Sequence, residues 1–261
     1  GFTCSDCQEL NLPQEWEQKA AFLQAIKSTM AASTPRAPYY PGVRERIGKF
    51  LRAANSTASV PEASNQCIIS SFAANSNSEL EHTEVFGPAL SVTELPGTAP
   101  QAEAFLRSAI AYANTSLYGT LGANILIHPK TLAQIGQARF DEIITELRYG
   151  CIAINAWTGL GVLSAPTTGG AFPGHPLTDV QSGIGFVHNT MLFEKPQRTV
   201  IRAPFKPFPR NLASFSFTLL PRPPWFITNR SAGVLGRLLT AFQYRPSLLK
   251  LPRIFLNALL G

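Results

Sequence analysis

The sequence predicts an α/β fold built on a mostly parallel sheet. Between residues 84 and 155, short apolar runs rich in β-branched residues alternate with longer segments of helical periodicity. Runs that are apolar on both faces are typical of parallel strands covered by helices. A strand–helix–strand repeat forms a right-handed parallel unit, and the functional groups of such sheets gather in loops at the carboxyl ends of the strands.

The elements of this central stretch follow one another closely. After a turn at residues 84–88, we predict strands at 89–95, 123–128 and 151–155 and helices at 99–114 and 131–148. The first helix begins with a capping box formed by Thr98 and Gln101, with Pro100 tolerated in its first turn. The second ends in a basic turn followed by Gly150, which is typical of a helix C-terminus.

The part of the chain before this stretch predicts a strand and two helices. Residues 9–12 are expected to form a short strand. A helix that begins near Pro13 carries an apolar stripe, which predicts that it faces the core: Trp16, Ala20, Leu23, Ile26 and Met30. A further helix is predicted at 43–54, and the Ser- and Asn-rich segment 55–77 is expected to be loop apart from a strand around 67–69.

Glycine and proline punctuate the sequence after Asn155. Residues 157–175 contain five glycines and predict a long loop that leaves the carboxyl end of a strand, a common place for a functional site. We predict one more strand at 185–188 and helices at 231–244 and 248–260, the second interrupted by Pro252.

Charge is distributed unevenly along the 261 residues. The net charge is +6, yet residues 195–261 hold eleven basic residues and no acidic one. Amphipathic basic helices at 231–260 are expected to pack on their own domain or on a partner subunit, with docking on an anionic membrane surface as the alternative. Their basic residues alternate with Leu and Pro and form no recognition motif, so nucleic acid is not expected as a partner. No apolar run approaches the roughly 20 residues that cross a bilayer.

The four cysteines are few and irregularly spaced. Cys4 and Cys7 form a C-x-x-C pair, but no second such pair or C-x-x-H exists, so no metal site is predicted. Acidic residues interrupt the first seventeen positions, and we expect a reduced, cytoplasmic protein, peripheral to a membrane if the tail docks there. A helical turn beginning at Cys4 would favour its thiolate, whereas the alternative is a small buried residue near a terminus.

Several segments, in order, resemble motifs of the aldehyde dehydrogenase superfamily. The turn Glu84-Val85-Phe86-Gly87-Pro88 resembles its E-x-F-G-P motif, and Gly1-Phe2-Thr3-Cys4 is similar to the G-Q-x-C segment, with Phe2 where glutamine is usual. Residues 112–123 resemble the A-N-x-x-x-Y-G-L-x-A segment, residues 150–155 a strand that ends in asparagine, and Gly169-Gly170 part of a glycine-rich late loop. The resemblance covers nearly the whole chain.

The resemblance implies a three-layer α-β-α catalytic domain over residues 1–220, followed by a basic, proline-rich helical tail at 221–261. It implies NAD(P)-dependent oxidation of an aldehyde, with Cys4 as the nucleophile. Glu84 would hold the hydroxyls of the nicotinamide ribose, and Phe86 would pack near the nicotinamide.

Further implications concern the loops and the assembly. Asn155, Gly169 and Gly170 would belong to the substrate or structural loops around the site. An aldehyde is the expected substrate, NAD or NADP the cofactor, and a homo-oligomer the expected assembly.

The chain also departs from the family pattern. A coenzyme-binding domain precedes the nucleophile in the family, whereas almost nothing precedes Cys4 and no G-x-G-x-x-G motif is present. We therefore expect the C-terminal catalytic half of an atypical member, a fragment that is inactive alone and needs an N-terminal domain to bind the coenzyme well. The alternative is a non-catalytic assembly or docking module that kept the fold.

Overall fold

The computed structural model describes residues 3–33, 35–63, 65–76, 79–97, 101–208, 210–218 and 229–260. It shows a mixed α/β protein with two small sheets. The chain divides into two compact units, residues 1–201 and 202–261. The domain boundary expected between residues 220 and 221 lies outside the described residues, as do Thr98 and Pro100 of the predicted capping box.

The first sheet holds three parallel strands: β1 (Glu9–Pro13), β2 (Ile68–Phe72) and β3 (Ala89–Leu95). Their order is β1-β3-β2, with Glu9 opposite Ser91 and Ile68 opposite Ala89. The central strand β3 is buried at six of its seven positions, which explains why its sequence lacks a polar alternation. The predicted strands at 9–12 and 89–95 are confirmed.

The second sheet has the order β4-β5-β6, formed by β4 (Gly122–Ile125), β5 (Cys151–Ile154) and β6 (Thr199–Arg202). Strands β4 and β5 are parallel, with Gly122 opposite Cys151. Strand β5 is completely buried, as its apolar run predicted. The strand predicted at 185–188 is wrong, since this stretch is irregular, and β6 was not predicted.

Seven helices are described in the first unit: α1 (Lys19–Ala31), α2 (Val43–Ala53), α3 (Glu79–His82), α4 (Ala102–Thr115), α5 (Pro129–Ile135), α6 (Gln137–Ile144) and α7 (Gly159–Leu163). The single helix predicted at 131–148 is wrong. Two helices replace it because Gly136 adopts a φ of 87°, which breaks the helical path. Helix α1 begins only at Lys19 and buries none of its residues, so its predicted core-facing role is also wrong.

Two apolar clusters hold the first unit together. One packs helices α4 and α6 around β5, with Ile110, Phe140, Ile143 and Ile152 among its buried members. The other packs α2 against the start of β3: Val43, Ile47, Phe50, Leu51, Leu80, Val85 and Ala89. This second cluster is important for the candidate site because it presses the turn before β3 onto α2.

The second unit contains a short 3-10 turn at Arg210–Ser214 and the helices α8 (Ala232–Tyr244) and α9 (Leu251–Leu260). The helix predicted at 231–244 is confirmed, and the one predicted at 248–260 is confirmed from Leu251 onward. The interruption expected at Pro252 is wrong, because Pro252 lies in the first turn of α9, where proline is tolerated. Another 3-10 turn, Leu248–Lys250, leads into α9. Within the part of the chain that the structure describes, no helix has both the length and the apolar character to cross a membrane.

Candidate functional site

Cys4 lies in an isolated, exposed turn. The backbone N–H of Asp6 donates to the carbonyl of Thr3 at 3.1 Å, and the Asp6 carboxylate accepts from the N–H of Thr3 at 3.0 Å. Cys4 is exposed in this turn, so the alternative of a small buried residue is wrong. No helix follows the turn before β1 begins, so the helix-dipole argument for a Cys4 thiolate does not apply.

The Glu84–Pro88 turn is held in place by Arg46 of α2. The Arg46 Nε donates to the carbonyl of Val85 at 2.7 Å, and its Nη1 donates to the carbonyl of Pro41 at 2.9 Å. The Glu84 side chain reaches the surface. Partial withdrawal from water raises the pKa of Glu84, and the nearby positive charge of Arg46 opposes that rise.

Tyr40 packs on the second of these turns. Its ring packs edge-to-face on Phe86, with the ring centroids 4.8 Å apart. The pKa of Tyr40 is raised by its hydrogen bond to Tyr39, by partial burial and by the negative charges of Tyr39, Cys4 and Asp6. Phe86 is therefore in direct contact with Tyr40, whereas Cys4 acts on Tyr40 only through its charge. Sequence analysis missed Tyr40; the signal available was the pair of aromatics in the segment 36–41.

The topology explains how the two turns come together. Cys4 precedes β1, and the Glu84–Pro88 turn precedes β3, which pairs with β1 in parallel. Residues that precede neighbouring parallel strands share the amino edge of the sheet. The expectation that the predicted groups gather at carboxyl ends is therefore wrong for Cys4, Glu84 and Phe86.

A second contact fixes the Cys4 turn from the loop after β5. The Trp157 indole Nε1 donates to the carbonyl of Ser5 at 2.9 Å, and the Thr158 hydroxyl lies 3.4 Å from the same oxygen. Thr158 is itself anchored, since its N–H donates to the Asn124 side chain at 3.0 Å. Sequence analysis did not assign Trp157 or Thr158 to the site, although their position directly after a strand end was a usable signal.

Asn155 occupies a structural position. Its φ is 54°, in the left-handed region that asparagine tolerates. Its amide bonds both backbone groups of Ile127, donating to the carbonyl at 3.0 Å and accepting from the N–H at 2.8 Å. The side chain therefore joins the chain after β4 to the chain after β5.

Gly169 and Gly170 allow a close approach of backbones. Both have positive φ, 59° and 91°, and a Cβ on Gly170 would lie 2.6 Å from the carbonyl oxygen of Gly185. The carbonyl oxygen of Gly170 would in turn lie 2.0 Å from a Cβ on Gly150. The contacts found for these glycines among the described residues are with this loop region and do not include Cys4.

Two adjacent grooves border the same loop region. Their volumes are about 310 and about 560 Å³, and both are lined by Thr168 and by residues 194–196. Neither groove is lined by Cys4, Glu84 or Phe86. The grooves are thus distinct from the Cys4 turn and from the Tyr40–Phe86 contact.

A buried acidic cluster lies behind the site. Glu81 of α3 is 5% exposed and accepts from the Tyr112 hydroxyl at 2.8 Å and from the N–H of Asn75 at 2.9 Å. Glu9 of β1 faces it, and desolvation raises the pKa of Glu9 to about 7. The nearby hydroxyl groups of Thr93 and Tyr112 oppose this rise, and the charge of Glu81 adds to it. Sequence analysis treated Glu9 only as a strand residue.

The other cysteines differ from Cys4. All four are free, but Cys67 is half-buried and Cys151 is buried. Burial raises the pKa of both thiols, that of Cys151 to about 11. The sulfur of the exposed Cys7 donates to the carbonyl of Glu9 at 3.2 Å, and desolvation followed by the charge of Glu9 raises its pKa to about 11.

Across the ranges that the structure describes, no group of three or more His, Cys, Asp or Glu residues is placed to hold a metal ion. No protein-family model matches the chain, and no curated protein matches it significantly.

Proposed function

We propose that this chain is the catalytic-domain part of an NAD(P)-dependent, aldehyde dehydrogenase-like oxidoreductase, with a three-layer α-β-α arrangement. One observation carries the proposal: β1 and β3 pair in parallel with Glu9 opposite Ser91, so the exposed Cys4 turn and the Glu84–Pro88 turn precede neighbouring strands at the same edge of the sheet. The motif resemblance assigns the nucleophile and the coenzyme contacts to these same two turns.

Cys4 supplies the covalent chemistry. Its thiolate attacks the aldehyde carbonyl carbon, forming a C–S bond and moving the carbonyl electron pair onto oxygen as a thiohemiacetal. Collapse of this adduct expels hydride from the same carbon and leaves a thioester, which water cleaves to the acid and the free thiol. Bound NAD or NADP supplies the hydride acceptor.

The residues of the Glu84–Pro88 turn carry chemical groups of the kinds that would bind a dinucleotide coenzyme. The surface-reaching carboxylate of Glu84 offers acceptors for two ribose hydroxyls. Phe86 offers an aromatic face for a flat ring, and the edge-to-face contact with Tyr40 fixes its orientation. Arg46 holds the turn through the Val85 carbonyl, so Glu84 and Phe86 are positioned by backbone contacts.

Reaction of the intact chain with iodoacetamide, mapped by mass spectrometry, tests this proposal. We expect Cys4 to be modified first, because burial raises the pKa of Cys67 and Cys151 and each pKa unit lowers the thiolate fraction about tenfold. A simple aliphatic aldehyde should slow modification of Cys4, because thiohemiacetal formation removes the thiolate.

Cys7 is the comparison within the chain, since it lies three residues away but has a desolvated thiol whose pKa is raised to about 11, and free glutathione is the unhindered reference. The aldehyde should protect Cys4 more than Cys7 or free glutathione. The proposal fails if Cys67 or Cys151 reacts before Cys4, or if the aldehyde protects Cys4 no better than glutathione.

A further inference from the structure

The second unit combines strong positive charge with an absence of acidic residues in its sequence. Residues 202–261 contain nine Lys or Arg and no Asp or Glu. Six arginines are exposed in the described part of this unit, and four of them belong to its helical part: Arg230, Arg237, Arg245 and Arg253. No carboxylate of this segment can pair with them, so their charge attracts anions from outside it.

Large apolar side chains stand beside these arginines. Tyr244, Leu248 and Leu249 are 84%, 79% and 91% exposed where α8 connects to α9. Single exposed leucines are ordinary, but several together mark a surface that contacts another apolar phase. Along α9 the same exposure continues at four positions: Phe255, Leu256, Leu259 and Leu260.

The buried and the exposed apolar side chains of α9 lie on different faces of the helix. Ile254 is buried, and Leu251 and Ala258 are half-buried beside it on the inner face. At about 100° per residue, the exposed positions 255, 256, 259 and 260 fall within an arc of about 140° on another face. Arg253 lies at the border of this arc and would place a cation beside the apolar stripe.

Hydrogen bonds hold the two helices together and so present these side chains as one surface. The Lys250 Nζ donates to the carbonyls of Ala241 and Arg245 at 2.8 and 2.7 Å. The Asn229 amide donates to the carbonyl of Ala258 at 3.0 Å.

We propose that residues 232–260 dock in the plane of an anionic lipid bilayer surface. The exposed arginines contact the lipid headgroups, and Leu248, Leu249 and the apolar stripe of α9 enter the boundary between headgroups and acyl chains. A nucleic acid could pair its phosphates with the arginines, but it would leave the exposed apolar side chains in water. A lipid surface accommodates both kinds of side chain, which favours lipid over nucleic acid. The ten-residue α9 is too short to span a bilayer but suits a helix that lies on it.

Cosedimentation of the intact chain with vesicles tests this surface. We expect binding to phosphatidylcholine vesicles that contain phosphatidylserine, and little binding to phosphatidylcholine alone. The combined change Arg237→Gln, Arg245→Gln and Arg253→Gln should weaken binding about a hundredfold, because each basic residue near an anionic surface contributes about a fivefold gain in affinity. The pair Leu248→Ser and Leu249→Ser should weaken it tenfold or more.

Matched variants in the first unit serve as controls. Arg44→Gln with Lys49→Gln, and Leu177→Ser, alter exposed residues of the same kinds and should leave vesicle binding unchanged. Equal binding to neutral vesicles, or no binding to either kind, overturns the proposal. The arginine and leucine variants of residues 232–260 give a further test. If they leave vesicle binding intact but abolish self-association, or abolish binding to an acidic protein, the proposal is also overturned. Cys4 alkylation is measured separately, so failure here leaves the proposed function standing.

Discussion

Glu9 shows how a single carboxyl group in this fold responds to burial. It faces the buried Glu81 and the hydroxyl of Tyr112, and desolvation raises its pKa from the ordinary 4.5 to about 7. The folded state therefore binds more protons than the unfolded state between about pH 4.5 and about pH 7. Stability from this group is present at low pH and is lost as pH rises through the folded pKa.

The change Glu9→Gln should remove this pH dependence. We expect the free energy of unfolding of the unmodified chain to fall by roughly 1–3 kcal/mol between about pH 5 and about pH 8, and the variant to change less. Urea denaturation at both pH values measures the difference, with Glu62→Gln as an exposed control. Parallel pH profiles for Glu9→Gln and the unmodified chain would show that Glu9 does not titrate in this range.

Phe86 has a strained backbone conformation. Its φ of 52° lies in the left-handed region, which is unfavourable for a bulky residue and is retained where surrounding contacts impose it. The contacts here are the Tyr40 ring and the Arg46 bond to the neighbouring Val85. The strain coincides with the residue that the motif places against the coenzyme.

At the scale of elements, the turn before β3 is pressed against α2. A Cβ on Gly87 would lie 2.9 Å from the Val43 Cγ2 and 3.2 Å from the Ile47 Cδ1. Both neighbours are buried in the cluster that packs α2. Packing therefore explains the glycine of the E-x-F-G-P motif without a catalytic role.

The change Gly87→Ala should lower the free energy of unfolding by about 1–3 kcal/mol, because the added methyl overpacks the cluster. Thermal or urea denaturation measures this, and Val43→Ala in the same chain should offset part of the loss by making room. Gly48→Ala is a control in the same helix, where the nearest atom would lie at an ordinary 3.5 Å and helix propensity should stabilise the chain. An equal effect of the two glycine changes would contradict the packing argument.

Local sequence patterns correctly predicted the elements whose apolar residues repeat with a single periodicity. The strands β3 and β5 and the helix α2 were predicted because their apolar residues follow the periodicity of one structure. The helix break at Gly136 and the exposure of α1 were missed, since one depends on a single φ angle and the other on what packs nearby.

The candidate site was predictable only in part, because some of its contacts depend on tertiary packing. Cys4, Glu84 and Phe86 belong to short motifs, whereas Tyr40 and Trp157 join the site through contacts made by folding. The bond from Trp157 to Ser5, for example, spans 152 positions. No local pattern contains such a contact.

At the scale of the whole molecule, the excess of basic residues and the proposed nucleophile lie in different parts of the chain. Residues 1–194 carry a net charge of −5 and hold the Cys4 site, whereas residues 195–261 carry +11. Lipid docking by the basic part should weaken with salt, because screening shortens the range of the headgroup attraction. The reaction proposed for Cys4 would involve the uncharged carbonyl of an aldehyde and should respond less to salt.

The central claim is that Cys4 and the Glu84–Pro88 turn share one site. A chain carrying Glu84→Cys, Cys7→Ser and Cys67→Ser can be treated with a short bismaleimide and mapped by mass spectrometry. The account predicts an intramolecular crosslink between Cys4 and position 84 that disappears when Cys4→Ser is added. Single modification of both positions without a crosslink would contradict it.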